Sequence, residues 1–131
     1  MNVAIAGAGN VGQYIALDLR EGEHDVLVIE QDPDLVAILR ERMDVRWYIG
    51  DACEPDNLRE AGLDQVDVVV AATGDDEDNL VISLLAKRLG AVPKVVARVN
   101  DARNAWLFTA DWGVDAASPA AGAATLAVVP S

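Results

Sequence analysis

The sequence predicts an α/β fold, a doubly wound parallel sheet of about six strands with helices on both faces. Short apolar runs alternate with helical stretches along the chain, which is typical of parallel sheets covered by helices. The glycine pattern G-x-G-x-x-G follows the first apolar run at residues 7–12. The second apolar run closes with Glu30, 23 residues after Gly7, near the spacing at which nucleotide-binding sheets place an acid. Together these observations predict a Rossmann-like domain.

The first element is a strand from Val3 to Ala6, and the glycine loop turns it into a helix over 11–20. Gly7 permits the tight turn, Gly9 leaves room for a pyrophosphate, and Gly12 lets the helix lie close to the sheet. Unpaired N–H groups and the helix dipole favour an anion there. Glycine clusters at such turns also occur for packing alone, so the interpretation depends on context. We predict that the whole loop binds a cofactor: Gly7, Ala8, Gly9, Asn10, Val11 and Gly12.

The second strand, at 25–30, ends on the acid that would select the nucleotide. A carboxylate of Glu30 would accept hydrogen bonds from the ribose 2′- and 3′-hydroxyls and would repel a 2′-phosphate. This favours NAD or an adenine nucleotide over NADP. The alternative is a solvated acid at a strand end.

The remaining elements follow from periodicity and capping residues. Asp32 predicts a helix N-cap, with Pro33 as the first helical residue. A long helix begins with Asp76 or Asp78 as its cap and runs to about Leu89, with Gly90 as its stop. Its predicted sheet-facing residues are Leu80, Leu84, Leu85 and Leu89. The other predictions are strands at 45–49, 66–72 and 94–99, a short edge strand at 113–116, and helices at 55–63 (closed near Gly62) and at 101–110, the latter carrying Trp106 and Phe108.

The last residues differ in kind from the rest of the chain. Residues 117–131 are mostly alanine and other small residues, with one weak helix predicted at 120–129. We expect a linker or interface segment that is ordered only when it packs on something.

Composition limits the classes of function. With 131 residues, the chain has the length of one domain. Its net charge of −12 disfavours binding to nucleic acid and to an anionic membrane surface. No apolar run reaches the ~18 residues of a membrane-spanning helix, and the chain opens directly on a strand, so we expect a cytoplasmic protein without direct membrane insertion. Cys53 is the only cysteine; the acids beside it should raise its pKa, which indicates a packing role.

Parallel strands place all their carboxyl ends at the same end of the sheet, and ligands of such sheets bind there. Asp51 should lie near an adenine edge, and Thr73 and Gly74 near the phosphates or the second ribose. Arg98 offers a planar cation for a phosphate, with a salt bridge to a neighbouring acid as the alternative. The acidic run 75–78 is better explained by the dipole of the helix that it begins than by a metal, so no metal site is predicted.

Catalysis would need an acid or base beside the ligand. The single histidine, His24, precedes the second strand and so falls at the wrong end of the sheet. Tyr14 and Tyr48 lack a lysine at helical spacing. We therefore predict that the site binds a nucleotide without catalysing a reaction. The protein is predicted not to be an enzyme, and no catalytic residues are assigned.

Several stretches of the sequence resemble one known family. They are GAGNVG at 7–12, VIEQDP at 28–33, GDACEPDNL at 50–58, VVVAATGDDEDNL at 68–80 and VVARVND at 95–101. Together they resemble the N-terminal nucleotide-binding domain of Trk/Ktr-type potassium-uptake regulatory proteins, called the RCK, KTN or TrkA-N domain. The resemblance covers about residues 1–118, leaves 119–131 as an Ala-rich linker or interface tail, and implies that the family's C-terminal RCK domain is absent from this chain.

The resemblance implies a cytoplasmic regulatory subunit, peripheral to the inner membrane, that gates a membrane potassium-translocating subunit from a homodimer or higher ring. It implies NAD(H) as the ligand, with ATP or ADP as the alternative. ATP-responsive members tend to have arginine directly after the second glycine, and Asn10 stands there, which favours NAD(H). The implied contacts are Gly7 to Val11, Glu30, Thr73, Gly74 and Arg98, with Asp51 near the adenine.

Two other hypotheses remain open. One is a minimal NAD-dependent oxidoreductase that a partner completes with catalytic residues. The other is a structural dimerisation domain that has lost its ligand.

Overall fold

Six parallel strands form a single sheet in the computed structural model, which describes residues 1–119. The strand order is β3-β2-β1-β4-β5-β6, so the chain starts in the middle, winds to one edge, and then returns to wind to the other. The predicted doubly wound sheet is confirmed. The strands are β1 Asn2–Ala6, β2 Asp25–Glu30, β3 Arg46–Ile49, β4 Val68–Ala71, β5 Lys94–Arg98 and β6 Ala116–Ser118.

Helices cover both faces of this sheet because its strands alternate their side chains between two cores. In β1, Val3 and Ile5 join the core under the first helix, while Ala4 and Ala6 join the core on the opposite face. The α-helices are α1 Asn10–Glu21, α2 Pro33–Leu39, α3 Pro55–Glu60 and α4 Asp76–Gly90, and short 3₁₀ helices lie at Leu63–Gln65, Ala102–Leu107 and Ala110–Trp112.

Two local predictions are confirmed by the backbone. The Asp32 carboxylate caps α2 by accepting hydrogen bonds from the N–H groups of Asp34 and Leu35 at 3.0 and 3.3 Å, with Pro33 as the first helical residue. Gly62, with φ of +86°, follows α3 in the left-handed region. The α3 helix itself ends at Glu60, earlier than predicted.

Both predicted ends of α4 were wrong by one or more residues. Asp75 is the N-cap, and its carboxylate accepts a hydrogen bond from the Asp78 N–H at 3.0 Å. At the other end, Ala91 adopts the left-handed conformation at φ of +47°. Gly90 remains helical and packs tightly, since a Cβ there would lie 3.1 Å from Leu63. The helix therefore stops one residue later than the glycine predicted.

The inward face of α4 also differs from the leucine pattern. Its buried residues are Asn79, Leu80, Ile82, Ser83 and Ala86, whereas Leu84, Leu85 and Leu89 are only partly buried. Two polar residues can occupy the buried stripe because each has hydrogen-bond partners there, as the Ser83 hydroxyl does by donating to the Asn79 carbonyl at 2.7 Å.

The predicted helix at 101–110 is replaced by 3₁₀ turns, and the edge strand lies later than predicted. Trp106 is 74% exposed, so this segment has no continuous apolar face to support an α-helix. Phe108 is buried in the core, and Leu107 packs against that core while partly exposed. The edge strand β6 forms at 116–118, where Val96 to Arg98 offer a free edge.

Ala117 and Ser118 therefore belong to β6 and not to the Ala-rich tail. The helix predicted at 120–129 lies outside the described residues. Over residues 1–119, no helix has the length and apolar character needed to cross a membrane.

Candidate functional site

A crevice of about 280 Å³ opens at the carboxyl ends of the central strands, beside the point where the strand order reverses. The crevice is lined by the turns after β1, β2, β3 and β4 and by the last residue of β5. Asn10, Val11 and Gly12, which were also predicted to bind, are not among its lining residues. The predicted site residues that it does bring together are Gly7, Ala8, Gly9, Glu30, Asp51, Thr73, Gly74 and Arg98.

The three glycines of the loop have separate structural roles. Gly7 has φ of +104°, and a Cβ there would lie 3.0 Å from the Ala72 carbonyl oxygen. A Cβ on Gly9 would meet nothing within 4 Å, so the space above it is open to the crevice. A Cβ on Gly12 would lie 2.0 Å from the Gly7 carbonyl oxygen. Gly9 therefore leaves room for a ligand, while Gly12 lets α1 pack on the loop.

The Glu30 carboxylate is held in place by two backbone groups. One oxygen accepts a hydrogen bond from the Ala8 N–H at 2.9 Å, and the other accepts one from the Asp32 N–H at 2.8 Å. Each carboxylate oxygen can accept two hydrogen bonds, so both retain a free lone pair. Glu30 is thus a fixed acceptor at the crevice wall, and not a freely solvated acid.

The Thr73 hydroxyl is occupied inside the protein. It donates a hydrogen bond to the Asn79 Oδ1 at 2.6 Å and lies 3.1 Å from the Asp75 carbonyl oxygen. The Thr73 N–H also donates to the Asn79 Oδ1. The sequence suggested that this hydroxyl faces a ligand, whereas its hydrogen bonds are made within the protein. Within the described chain, the Gly74 N–H is the backbone donor of this turn that has no protein acceptor.

Asn79 was not among the site residues predicted from the sequence, yet its side chain is fully buried behind the crevice. Its amide also donates to the carbonyl oxygens of Thr73 and Arg98, at 3.1 and 3.0 Å. The pattern that points to it is a polar residue in register with Ile82, Ser83 and Ala86, on the stripe that α4 buries.

Arg98 is the cation of the crevice. Its guanidinium makes no ion pair within residues 1–119, so the salt bridge considered from the sequence is not formed there. The lining acids are Glu30, Asp51 and Asp78. The crevice therefore offers one planar donor in an otherwise acidic setting.

The acidic run at 75–78 serves the fold. Asp75 caps α4, and Asp76 accepts hydrogen bonds from the N–H groups of Asn100 and Asp101 and from the side chains of Asn100 and Asn104. Burial acts to raise the pKa of Asp76, but these hydrogen bonds outweigh it and hold the pKa below its ordinary value. Residues 1–119 contain no cluster of three or more metal-ligating side chains.

Cys53 lies on the crevice wall, and its thiol is held in the protonated form. Burial, followed by the nearby carboxylates of Asp78 and Asp51, raises its pKa to about 12. The predicted direction of this shift is confirmed. A group with a pKa raised in this way is protonated throughout the neutral range and is a poor nucleophile.

We expect the Cys53 thiol to react slowly with an aromatic disulfide reagent at pH 8. A pKa of about 12 instead of 9.0 lowers the thiolate fraction about a thousandfold, and the greater nucleophilicity of the more basic thiolate recovers part of that loss. Folded protein should react roughly 30- to 100-fold more slowly than protein unfolded in guanidinium, followed by absorbance. A folded rate within threefold of the unfolded rate would contradict the pKa shift.

No histidine, tyrosine or lysine lines the crevice in the part of the chain that the structure describes. His24 directly precedes β2, at the opposite end of the strands, and its Nδ1 is 3.2 Å from the amino group of Met1. The Tyr48 hydroxyl donates to Asn57, at 3.3 Å.

The strand order, the glycine loop and the acid that ends β2 define a mononucleotide- or dinucleotide-binding domain of the doubly wound class. The chain belongs to the TrkA-N domain family, whose sequence profile matches residues 3–118. The family resemblance drawn from the sequence is thereby confirmed.

One relative and two solved structures illustrate the similarity. The Trk system potassium uptake protein TrkA of Mycobacterium tuberculosis (strain H37Rv) is 54% identical over 119 residues, which are 89% of this chain and 53% of that protein. The chain thus spans about half the length of that relative. The structure "GsuK channel bound to NAD" superposes with a TM-score of 0.81 at 18% identity, covering 90% of this chain and 21% of that one. The structure "Shewanella denitrificans Kef CTD in AMP bound form" gives 0.77 at 27% identity, covering 90% and 70%.

Proposed function

We propose that this chain is the nucleotide-binding domain of a regulatory protein for potassium uptake, and that it binds NAD(H) in the crevice. The observation that carries this proposal is the content of the crevice lining. It combines a Glu30 carboxylate held by two hydrogen bonds, the open space above Gly9 and the Arg98 guanidinium. The 54% identity to a potassium uptake protein supports the regulatory context.

The ligands named with the two similar structures, NAD and AMP, share an adenosine 5′-phosphate. In this chain the free lone pairs of Glu30 would receive the ribose hydroxyls, and Asp51 would lie near the adenine edge. The phosphates would lie over Gly9, close to the first turn of α1 and to the Arg98 guanidinium. These contacts use the predicted residues Gly7 to Gly9, Glu30, Asp51, Gly74 and Arg98.

NAD(H) is favoured over ATP or ADP by charge. The crevice presents Arg98 against Glu30, Asp51 and Asp78, so each further phosphate adds repulsion that one guanidinium does not offset. Asn10 supplies no cation at the start of α1.

The domain acts by changing the population of regulatory states, and not by catalysis. Ligand occupancy would shift a homodimer or higher ring between two arrangements and so gate a membrane potassium-translocating subunit. The protein would be cytoplasmic and peripheral to the inner membrane through that subunit. In this proposal, residues 1–118 are the nucleotide-binding unit, and 119–131 are a linker or interface segment. The rival oxidoreductase would need a partner to supply catalytic residues, since no histidine, tyrosine or lysine of residues 1–119 lines the crevice.

Isothermal titration of the purified chain with NAD, NADH, AMP, ATP and NADPH tests this proposal. We expect dissociation constants of roughly 1–50 μM for NAD or NADH and at least ~10-fold weaker binding of ATP and NADPH. Tighter binding of ATP than of both NAD forms would overturn the choice of ligand. No binding by any nucleotide would favour the structural dimerisation domain, and turnover of NADH with a small carbonyl would favour the oxidoreductase.

A further inference from the structure

We propose that Asn79 is a positioning residue for nucleotide binding, because its buried amide ties the turn after β4 to the end of β5 and so sets where Arg98 meets the phosphate. This inference rests on the proposed function. Asn79 does not line the crevice, and in this proposal it stabilises the side of the crevice that binds the phosphate.

All four hydrogen-bonding positions of the Asn79 amide are used, and all on two residues. Its Oδ1 accepts from the Thr73 N–H at 3.0 Å and from the Thr73 hydroxyl at 2.6 Å. Its Nδ2 donates to the carbonyl oxygens of Thr73 and Arg98 at 3.1 and 3.0 Å. The side chain has 0% exposure, so water cannot replace any of these bonds.

The Asn79 amide connects β4 and β5 beyond the last pair of residues that the two strands share. The paired residues of β4 and β5 end with Ala71 opposite Ala97, and Thr73 and Arg98 lie beyond that last pair. On its far side, Arg98 pairs only with the edge strand through Ser118. The Asn79 bridge therefore takes the place of the missing rung between β4 and β5 at the mouth of the crevice.

A second brace holds the chain that follows Arg98. Asn100 donates from its Nδ2 to the Thr73 carbonyl oxygen at 3.0 Å, and its N–H donates to the Asp76 carboxylate at 2.7 Å. Asp76 begins α4, only three residues before Asn79. One end of one helix thus fixes both the Thr73 turn and the segment after β5.

This geometry predicts an effect confined to the phosphate. The Glu30 side of the crevice, which would hold the ribose, is braced by Ala8 and Asp32 and makes no hydrogen bond with Asn79. Loosening Asn79 should therefore weaken binding of AMP, which has a phosphate for Arg98, and spare adenosine, which has none.

The test measures AMP and adenosine affinities and thermal unfolding for Asn79→Ser, with Ser83→Ala as the matched control. Ser83 is equally buried, lies one turn further along the same stripe, and donates only to the Asn79 backbone carbonyl. We expect Asn79→Ser to weaken AMP about tenfold and adenosine less than twofold. Ser83→Ala should lower the unfolding temperature and leave both affinities within twofold.

A double-mutant cycle with Arg98→Ala separates positioning from general support. If Asn79 acts through Arg98, Asn79→Ser should weaken AMP no further once the guanidinium is gone. Equal losses for AMP and adenosine, or losses additive with Arg98→Ala, would overturn the proposal. If Asn79→Ser does not fold, Asp76→Asn in the second brace should show the same loss confined to AMP, and an unchanged AMP affinity would overturn it. Failure of the unaltered chain to bind AMP or NAD would instead refute the proposed function itself.

Discussion

Gly12→Ala is expected to leave little folded protein, whereas Gly9→Ala is expected to fold normally and lose affinity for nucleotide. A Cβ at Gly12 would lie 2.0 Å from the Gly7 carbonyl oxygen and 2.9 Å from its carbonyl carbon. Both atoms are backbone, so relief requires α1 to move away from β1. We expect a cost of roughly 3 kcal/mol or more, a large share of the ~5–15 kcal/mol that stabilises a typical domain.

Gly9 is the matched control because it belongs to the same loop and undergoes the same chemical change. Its φ of −73° suits alanine, and the added methyl group would meet no protein atom within 4 Å. That methyl group would instead occupy the space proposed for the phosphates, which should weaken NAD at least tenfold.

Urea unfolding followed by circular dichroism, together with NAD titration, separates the two variants. A Gly12→Ala protein with near-normal stability would show that α1 can shift without cost. A Gly9→Ala protein that binds NAD normally would place the phosphates elsewhere.

Glu30→Gln should abolish most of the preference for NAD over NADPH. The substitution removes the charge that would repel a 2′-phosphate and leaves one acceptor oxygen where two are used. Charge-assisted hydrogen bonds contribute about 1.5–3 kcal/mol each, so losing one from the ribose predicts a 10- to 100-fold weaker NAD affinity. The NADPH affinity should change little or improve, which brings the two dissociation constants within about threefold.

Glu77→Gln is the control for charge alone, since Glu77 is exposed on the first turn of α4 and does not line the crevice. It should leave both affinities within twofold. Parallel titrations of NAD and NADPH with both variants provide the measurement. A Glu30→Gln protein that retains a tenfold preference for NAD would mean that another group recognises the ribose.

The strands and the glycine loop could be predicted from the sequence because they depend on local properties. A β-branched run such as Val68 to Val70 needs burial on both faces, and Gly7 supplies a backbone conformation that few other residues adopt. Glu30 was found in the same way, by its position at the end of a strand at a fixed distance from the glycines.

The errors came where two local preferences competed. Four consecutive acids stand at 75–78, and the sequence prediction chose Asp76 or Asp78 as the cap of α4; the structure shows the extended backbone of a cap at Asp75. The leucines of α4 suggested one inward face, but Asn79 and Ser83 occupy the stripe because their polar groups find partners inside.

The sequence by itself determined the class of domain, the order of its elements and the place of the candidate site at the strand ends. Only the tertiary structure decided how that site is held: the Thr73 hydroxyl turns inward, Asn79 reaches Arg98 from 19 residues away, and Asp76 reaches Asn100 from 24. Local steric constraints and hydrophobic periodicity depend on residues that are close in the sequence, so they can be predicted from it. Hydrogen bonds between distant segments form only once the sheet has brought β4 and β5 together, because no local pattern records which buried amide will meet which carbonyl.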